Sequence, residues 1–134
     1  MTLWAKDAAD VENGLEFAPR FGPDGLVTCV TVAAEDGAVL MLAHMNAEAL
    51  EKTLETGIVH YWSRSRGELW RKGDTSGQIQ RLKELRVDCD QDTLLAVVEV
   101  GGDGGACHTG RRSCFYRRVE LAGERAILVE REVK

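Results

Sequence analysis

The fold is decided by residues 26–43, LVTCVTVAAEDGAVLMLA. The first half of this stretch, residues 26–34, is rich in β-branched residues, which favour a strand. Glu35-Asp36-Gly37 is a tight-turn sequence and residues 38–43 are apolar again, so the stretch predicts a β-hairpin. Cys29 lies inside the apolar pattern, and we interpret it as a core residue because free cysteines are often buried.

One helix and several further strands are predicted after this hairpin. Asn46 is a preferred N-cap residue, Glu48 suits the positive end of the helix dipole and Gly57 is a typical stop, so the helix spans about residues 47–56. Strands are predicted over residues 58–65, 81–89, 93–100, 116–121 and 126–129, although the start of the second could also be helical. The sequence therefore predicts an α+β domain with a mostly antiparallel sheet and few helices.

Length and composition fit one globular domain, residues 1–134. Of the 134 residues 44% are hydrophobic and 29% are charged, as in ordinary soluble proteins. No apolar run approaches the roughly 18–20 residues that span a bilayer, and the N-terminus lacks the apolar segment of a signal peptide. We therefore expect a cytoplasmic protein that binds no membrane. Its net charge of −5 argues against wholesale binding of nucleic acid.

Three acids alternate in the sequence Asp88-Cys89-Asp90-Gln91-Asp92. In an extended segment the three carboxylates would share one face and Cys89 would point to the other. Such a cluster repels itself unless a cation lies within it, and its hard oxygen ligands suit magnesium or calcium. The alternative is a polar turn with solvated acids.

Two cysteines lie seven positions apart in the sequence from Cys107 to Cys114. Together with Cys89 they make a set of three thiol ligands, which leaves one zinc coordination position open, as in catalytic zinc sites. Without a secretion signal, metal binding is favoured over disulfides. The alternative is that these cysteines are small buried apolar residues, but Gly110 and two arginines between them argue against a buried strand.

A basic segment runs from residue 60 to residue 86, with seven Lys or Arg and three acids. Arginines grip phosphate in bidentate fashion, hydroxyls donate to it and glycines let backbone amides approach it. The tryptophans could stack on a base. The alternative is a solvated polar strand edge. The predicted substrate-binding residues are Trp62, Ser63, Arg64, Ser65, Arg66, Trp70, Lys72, Thr75, Ser76 and Gly77.

The chain has three histidines, and they rank differently as acid–base candidates. His108 is the best one because it adjoins the proposed zinc ligand Cys107. His60 is second because it begins the basic segment. His44 lies among apolar neighbours before the helix, and we interpret it as structural.

Four stretches resemble, in order and spacing, motifs of the phosphoribosyl-AMP cyclohydrolase family. They are MLAHMNAEAL (41–50), HYWSRSRGELWRKGDTSGQIQ (60–80), DCDQDTLLAVVE (88–99) and ACHTGRRSCFYR (106–117). The resemblance covers about residues 26–118. His44 stands where the family usually has Tyr, and no departure occurs at the proposed metal or phosphate positions.

The resemblance implies a reaction and an assembly. The family hydrolyses the N1–C6 bond of the adenine ring in N1-(5-phosphoribosyl)-AMP, a step of histidine biosynthesis, and works as an intertwined homodimer with zinc and magnesium. Some relatives carry a fused pyrophosphatase domain, for which we expect no room here. By position, zinc would be held by Cys89, Cys107 and Cys114, with Cys89 contributed across the dimer interface, and magnesium by Asp88, Asp90 and Asp92.

The resulting hypothesis is that water activated by zinc attacks C6, with His108 moving protons. Two alternatives remain from the residues alone. A zinc deaminase would need His-x-Glu and Pro-Cys-x-x-Cys, and neither pattern occurs in the sequence. A zinc-stabilised binding module is disfavoured by the acidic net charge and by the open ligand set.

Overall fold

The computed structural model describes residues 14–73, 77–102, 104–107, 109 and 111–130. Among them no helix is long and apolar enough to cross a membrane. The predicted α+β architecture with mostly antiparallel strands is confirmed. The elements are β1 (Val27–Ala33), β2 (Val39–Met45), α1 (Ala47–Thr56), β3 (His60–Ser63), β4 (Glu68–Arg71), β5 (Gln80–Val87), β6 (Thr93–Val100), β7 (Arg117–Ala122) and β8 (Arg125–Glu130).

A four-stranded sheet of order β2-β1-β6-β5 forms the centre of the fold. The predicted β1–β2 hairpin is confirmed, and β5 is a strand throughout, which removes the helical alternative for its start. β1 and β6 run parallel, whereas every other strand pair in the described chain is antiparallel. Two separate two-stranded sheets, β3-β4 and β7-β8, complete the architecture.

The core lies on one face of this sheet. Along β1 the side chains alternate between fully buried and half-buried, as the two-residue period of a strand requires. Residues of β1, β2, β6, α1 and β3 contribute to a single buried apolar cluster. Cys29 belongs to it, and burial raises the pKa of its thiol to about 12. The prediction that Cys29 is a core residue is therefore confirmed.

The helix ends where its capping residues predict. The Asn46 side chain accepts a hydrogen bond from the Ala49 amide at 2.8 Å, which satisfies one of the free N–H groups of the first turn. Gly57 adopts a left-handed conformation, φ 74°, and its amide donates to the Thr53 carbonyl. That conformation is nearly free of strain only for glycine, so the stop is encoded locally.

Two predicted elements are wrong in extent. The strand predicted over residues 58–65 is β3, His60–Ser63, and a turn then leads into β4, which the sequence reasoning did not assign. Residues 88–92 are not extended: they form a turn between β5 and β6, with the Gln91 amide bonded to the Asp88 carbonyl at 3.1 Å. The prediction that an extended segment places the three aspartates on one face is therefore wrong.

Candidate active site

A groove of about 520 Å³ runs between the end of β2 and the β3–β4 hairpin. It holds five of the predicted substrate-binding residues, because β3 and its turn deliver four consecutive side chains and β4 delivers an indole across the hairpin. Three residues of β2 form the opposite wall. The lining residues are Leu42, Ala43, His44, Trp62, Ser63, Arg64, Ser65 and Trp70.

None of the other predicted substrate-binding residues that the structure describes lines this groove. Arg66 packs against the Trp70 ring, 5.9 Å from its centroid, and pairs with Glu68 at 3.6 Å. Gly77 is exposed with φ 78°, a backbone conformation that glycine provides. Thr75 and Ser76 lie outside the described residues, and their predicted role stays a prediction.

Lys72 is buried, and it connects the groove to the cysteine pair. Its ammonium lies 5.2 Å from the centroid of Trp70, which lines the groove. Burial lowers the pKa of Lys72, and the nearby Cys107 and Cys114 thiols oppose that shift. A cation in this place stabilises negative charge on sulfur, so its charge acts on the thiols as well as on the groove.

Cys107 and Cys114 are close enough for each thiol to act on the pKa of the other. Burial alone would raise the pKa of Cys107, but a 3.0 Å hydrogen bond from the Thr109 hydroxyl helps bring it below its usual value. Partial desolvation and the nearby Cys107 raise the pKa of Cys114 to about 11. The Cys107 thiol therefore ionises more readily than a free cysteine, whereas the Cys114 thiol would need a cation beside it to ionise.

The loop that carries this pair is tied to the central sheet. The Cys114 amide donates to the Leu40 carbonyl at 2.7 Å, and the Ser113 hydroxyl donates to the Val39 carbonyl at 2.7 Å. Arg112 forms a bidentate pair with Asp36 in the β1–β2 turn, at 2.9 and 3.0 Å. These bonds fix the thiols at the β1–β2 turn end of the sheet.

Cys89 lies near the opposite end of the sheet. Cys89 is in the turn that precedes Thr93, and Thr93 pairs with Thr28 of β1. The Cys107–Cys114 loop is instead bonded to β2 beside Val32, which lies at the other end of β1. From Thr28 to Val32 a strand rises about 13 Å, and Zn–S bonds are only about 2.3 Å long. Among the described residues, the three cysteines accordingly do not form a common cluster.

The three aspartates do come together, in the turn between β5 and β6. One carboxylate oxygen from each of Asp88, Asp90 and Asp92 lies within 4.8 Å of the other two. Hydrogen bonds from Asp88 and Asp90 raise the pKa of Asp92. Burial opposes the shift of Asp88, but its hydrogen bonds to Asp92 and to the Thr93 amide leave its pKa lowered. Carboxylates this close to one another repel when no cation is bound.

Asp90 provides the observation that fits a metal ion best. Its Oδ1 atom is buried and has no hydrogen-bond partner within the described part of the chain. A buried acceptor without a partner is costly, and a divalent cation among three carboxylates would satisfy it. The donor set is all oxygen, which suits magnesium or calcium rather than zinc.

Gln91 holds this turn against the N-terminal segment, and the sequence reasoning did not single it out. It is a non-glycine residue with φ 58°, which is uncommon and marks an imposed conformation. Its Oε1 accepts from the Ala18 amide at 2.7 Å, its carbonyl accepts from the Arg20 amide at 2.7 Å, and its Nε2 donates to the Glu16 carbonyl. No sequence signal at Gln91 pointed to this role.

The histidines occupy different surroundings. His60 is buried, and its Nδ1 lies 2.8 Å from the Ile58 carbonyl, so part of its hydrogen-bonding capacity is used within the fold. His108 lies outside the described residues. The catalytic roles of both stay predictions. His44 lines the groove. The sequence predicts that this strand ends at Ala43. If the strand is extended by one residue, the alternation of side chains places His44 on the same face as Leu42.

Comparisons with known proteins show which family this chain resembles. A sequence model described as phosphoribosyl-AMP cyclohydrolase matches residues 41–116. A phosphoribosyl-AMP cyclohydrolase of Chelativorans sp. strain BNC1 is 59% identical over 92% of this chain and 89% of its own length. The enzyme of that name from Brucella anthropi is 63% identical over 84% of this chain and 80% of its own length.

The chain belongs to the phosphoribosyl-AMP cyclohydrolase family. The resemblance noted from the four motifs is thereby confirmed. The matched range contains the groove, the acidic turn and both cysteines of the close pair. The features that carry the candidate chemistry therefore lie within the range that matches the family, whereas the β7–β8 hairpin lies beyond it.

Proposed function

We propose that this protein hydrolyses the N1–C6 bond of the adenine ring in N1-(5-phosphoribosyl)-AMP, a step of histidine biosynthesis. The observation that carries the proposal is the junction at Trp70 and Lys72. There a groove with two indoles, hydroxyls and an arginine meets a pair of ionisable thiols. Indoles suit a purine, and the arginine and hydroxyls suit a phosphate.

Each group of residues has a distinct task in this reaction. Trp62 and Trp70 stack against the purine, and the hydroxyls and guanidinium of Ser63, Arg64 and Ser65 bind one phosphate. Residues 75–77 bind the second phosphate. Alkylation at N1 makes the ring electron-poor at C6, so water is a sufficient nucleophile. His108 moves protons to and from the reacting atoms, and His60 is the second candidate for that role.

Zinc is the metal we propose for the thiols. Cys107 and Cys114 supply two soft ligands close together, one of them with a lowered pKa, and Cys89 of a second copy supplies the third. A zinc ion there would act as a Lewis acid that makes water reactive near neutral pH. Magnesium is proposed for Asp88, Asp90 and Asp92, where it would help to hold phosphate.

A homodimer is proposed because two features favour a second copy. Half-buried and exposed apolar residues of neighbouring strands face away from the core. The β7–β8 hairpin is a two-stranded sheet, which is marginal alone, and exposes apolar side chains. The first set is Val30, Val32, Val39, Leu42, Leu95 and Val97, and the second is Val119, Leu121, Ile127 and Leu128.

The reaction is tested with phosphoribosyl-AMP in a spectrophotometric assay, before and after chelation and with zinc restored. We expect turnover to disappear and return with the metal. Cys107→Ala should lose both bound zinc and turnover, whereas the control Cys29→Ala, which changes a core cysteine, should keep its zinc. Full activity of Cys107→Ala would contradict the proposal. Arg64→Ala should chiefly raise KM, and an unchanged KM would exclude the phosphate role of Arg64.

The shared site has its own test, the mixing of two inactive variants. Cys89→Ala and Cys107→Ala are unfolded and refolded together. If Cys89 acts across the interface, the mixed dimer has one intact site, and random pairing restores about a quarter of the wild-type activity. If all three cysteines act within one chain, no combination has an intact site, and the mixture stays inactive.

A further inference from the structure

His44 is a half-buried histidine whose ring meets the groove rather than the core. It lies on β2 opposite Thr28, on the same side of that strand as the exposed Leu42. The groove wall facing it is made by residues of β3, β4 and the turn between them. His44 is not among the buried residues of the described chain.

No residue in the described part of the chain uses the hydrogen-bonding capacity of this ring. Neither ring nitrogen of His44 makes a hydrogen bond to any residue that the structure describes. His60, by contrast, has its Nδ1 at 2.8 Å from a backbone carbonyl. A half-buried imidazole with both nitrogens available therefore faces the space that the proposed substrate occupies.

Two charged groups act on His44, and their effects on its pKa are opposite. Burial lowers its pKa, Arg64 in the β3–β4 turn lowers it further, and Asp24 before β1 acts in the opposite direction. The ring is consequently neutral at neutral pH when the groove holds no anion. A phosphate beside Arg64 would reverse this balance, because its negative charge outweighs the guanidinium and favours imidazolium.

We propose that His44 is a phosphate-contacting residue that binds a nucleotide phosphate jointly with Arg64 and takes up a proton from solvent as it does so. The inference rests on the proposed function, since it places a nucleotide in this groove. The neutral ring accepts the proton on one nitrogen, and both N–H groups then become donors. Charge-assisted hydrogen bonds to the phosphate then offset the repulsion that the protonated ring meets from Arg64.

The test is calorimetric titration of the wild-type protein with AMP, which carries one phosphate. Measurements at neutral pH in two buffers of different ionisation enthalpy give the number of protons taken up. We expect net uptake for wild type, and none for His44→Gln, which keeps a donor but cannot be charged. Adenosine, which lacks the phosphate, should cause no uptake in either protein. Glu55→Gln on the exposed side of α1 is the matched control and should behave as wild type.

Kinetics with phosphoribosyl-AMP separates this inference from the proposed function. We expect His44→Gln to raise KM about tenfold at neutral pH with kcat little changed, as for loss of one charge-assisted hydrogen bond. At about pH 9 the difference should shrink, because the wild-type ring is then neutral too. Equal proton uptake in wild type and His44→Gln, or no AMP binding by an active wild type, would overturn the role of His44 alone. No turnover by the zinc-loaded wild type would overturn the proposed function.

Discussion

Tyr61→Phe is expected to destabilise the protein through two groups that it leaves unpaired. The Tyr61 side chain is fully buried, and its hydroxyl lies 2.6 Å from both Thr31 Oγ1 and Gln80 Oε1. Because the phenol proton goes to Gln80, the Thr31 hydroxyl donates to the phenol oxygen. Gln80 in turn donates to Met41 Sδ at 3.3 Å. The network joins β1, β2, β3 and β5 just behind the groove.

The size of the expected loss in the free energy of unfolding follows from the hydrogen bonds that Phe cannot form. It keeps the ring contact with Trp70, whose centroid is 5.5 Å away, so little packing is lost. A buried hydroxyl donor and a buried amide acceptor lose their partners, at about 1–3 kcal/mol each. Thr31 retains a weak alternative partner in Cys29 Sγ at 3.9 Å. We therefore expect a loss of about 2–3 kcal/mol in the free energy of unfolding.

Urea unfolding followed by far-ultraviolet circular dichroism, at one protein concentration, measures this loss. With a slope of about 2 kcal/mol per molar urea, the midpoint should fall by about 1–1.5 M. Tyr116→Phe changes the only other tyrosine, which is half-exposed, and is the matched control. Adding Thr31→Val to Tyr61→Phe removes one unpaired group and should recover about 1 kcal/mol. A midpoint for Tyr61→Phe within about 0.2 M of the control would refute the reasoning.

Four further variants test three features of the structure. Asn46→Ala removes the helix N-cap and should cost about 1 kcal/mol, measurable as a lower midpoint in the same urea assay. Asp36 has a pKa lowered by its hydrogen bond with Arg112, so its contribution to stability is present above about pH 4 and is lost as the pH falls through its folded-state pKa. The stability of Asp36→Asn should accordingly fall less than that of wild type on acidification; parallel curves would count against the pair. Gln91→Gly and Gln91→Ala should both weaken manganese binding at the acidic turn, measured by electron paramagnetic resonance. The glycine variant should stay the more stable, because φ 58° suits glycine.

Local elements were predictable because their signals lie within a few residues. The helix is bounded by Asn46 and Gly57, whose roles in capping depend only on their own backbone and side chain. The β1–β2 turn likewise contains Gly37 with φ 76°. The parallel pairing of β1 with β6 joins residues that are more than sixty positions apart, and no short-range pattern specifies that pairing.

The β4 strand shows where a local signal was available but short. Its sequence, Glu68–Arg71, follows a turn in which Gly67 has φ 62°, and Ser63 pairs with Glu68 across that turn. A glycine between two polar–apolar alternations is a hairpin signal. Four residues are few for such a pattern, and the arginines and serines before Gly67 fit a ligand-binding segment as well as a turn.

The acidic cluster was predicted correctly as a group but for a wrong geometric reason. Alternation along a strand would have placed Asp88, Asp90 and Asp92 on one face. Instead the turn closes through the Gln91 amide and the Asp88 carbonyl, and Asp88 accepts the Asp92 and Thr93 amides. Both geometries bring the carboxylates together, so the metal hypothesis alone could not distinguish them.

The spacing of the cysteines in the sequence predicts the close pair but not the position of the third thiol. Cys107 and Cys114 were expected to be close, and they are, because the loop between them is bonded to the sheet at Val39 and Leu40. Cys89 was added by ligand count, and the sheet register separates it from the pair by about 13 Å or more. If a second copy supplies the third thiol ligand, the spacing of cysteines within one chain cannot show it. The relevant distance then joins sulfur atoms of two different copies. The mixing experiment with Cys89→Ala and Cys107→Ala is therefore decisive, because it depends on which copy supplies the third thiol and not on how strongly zinc is bound.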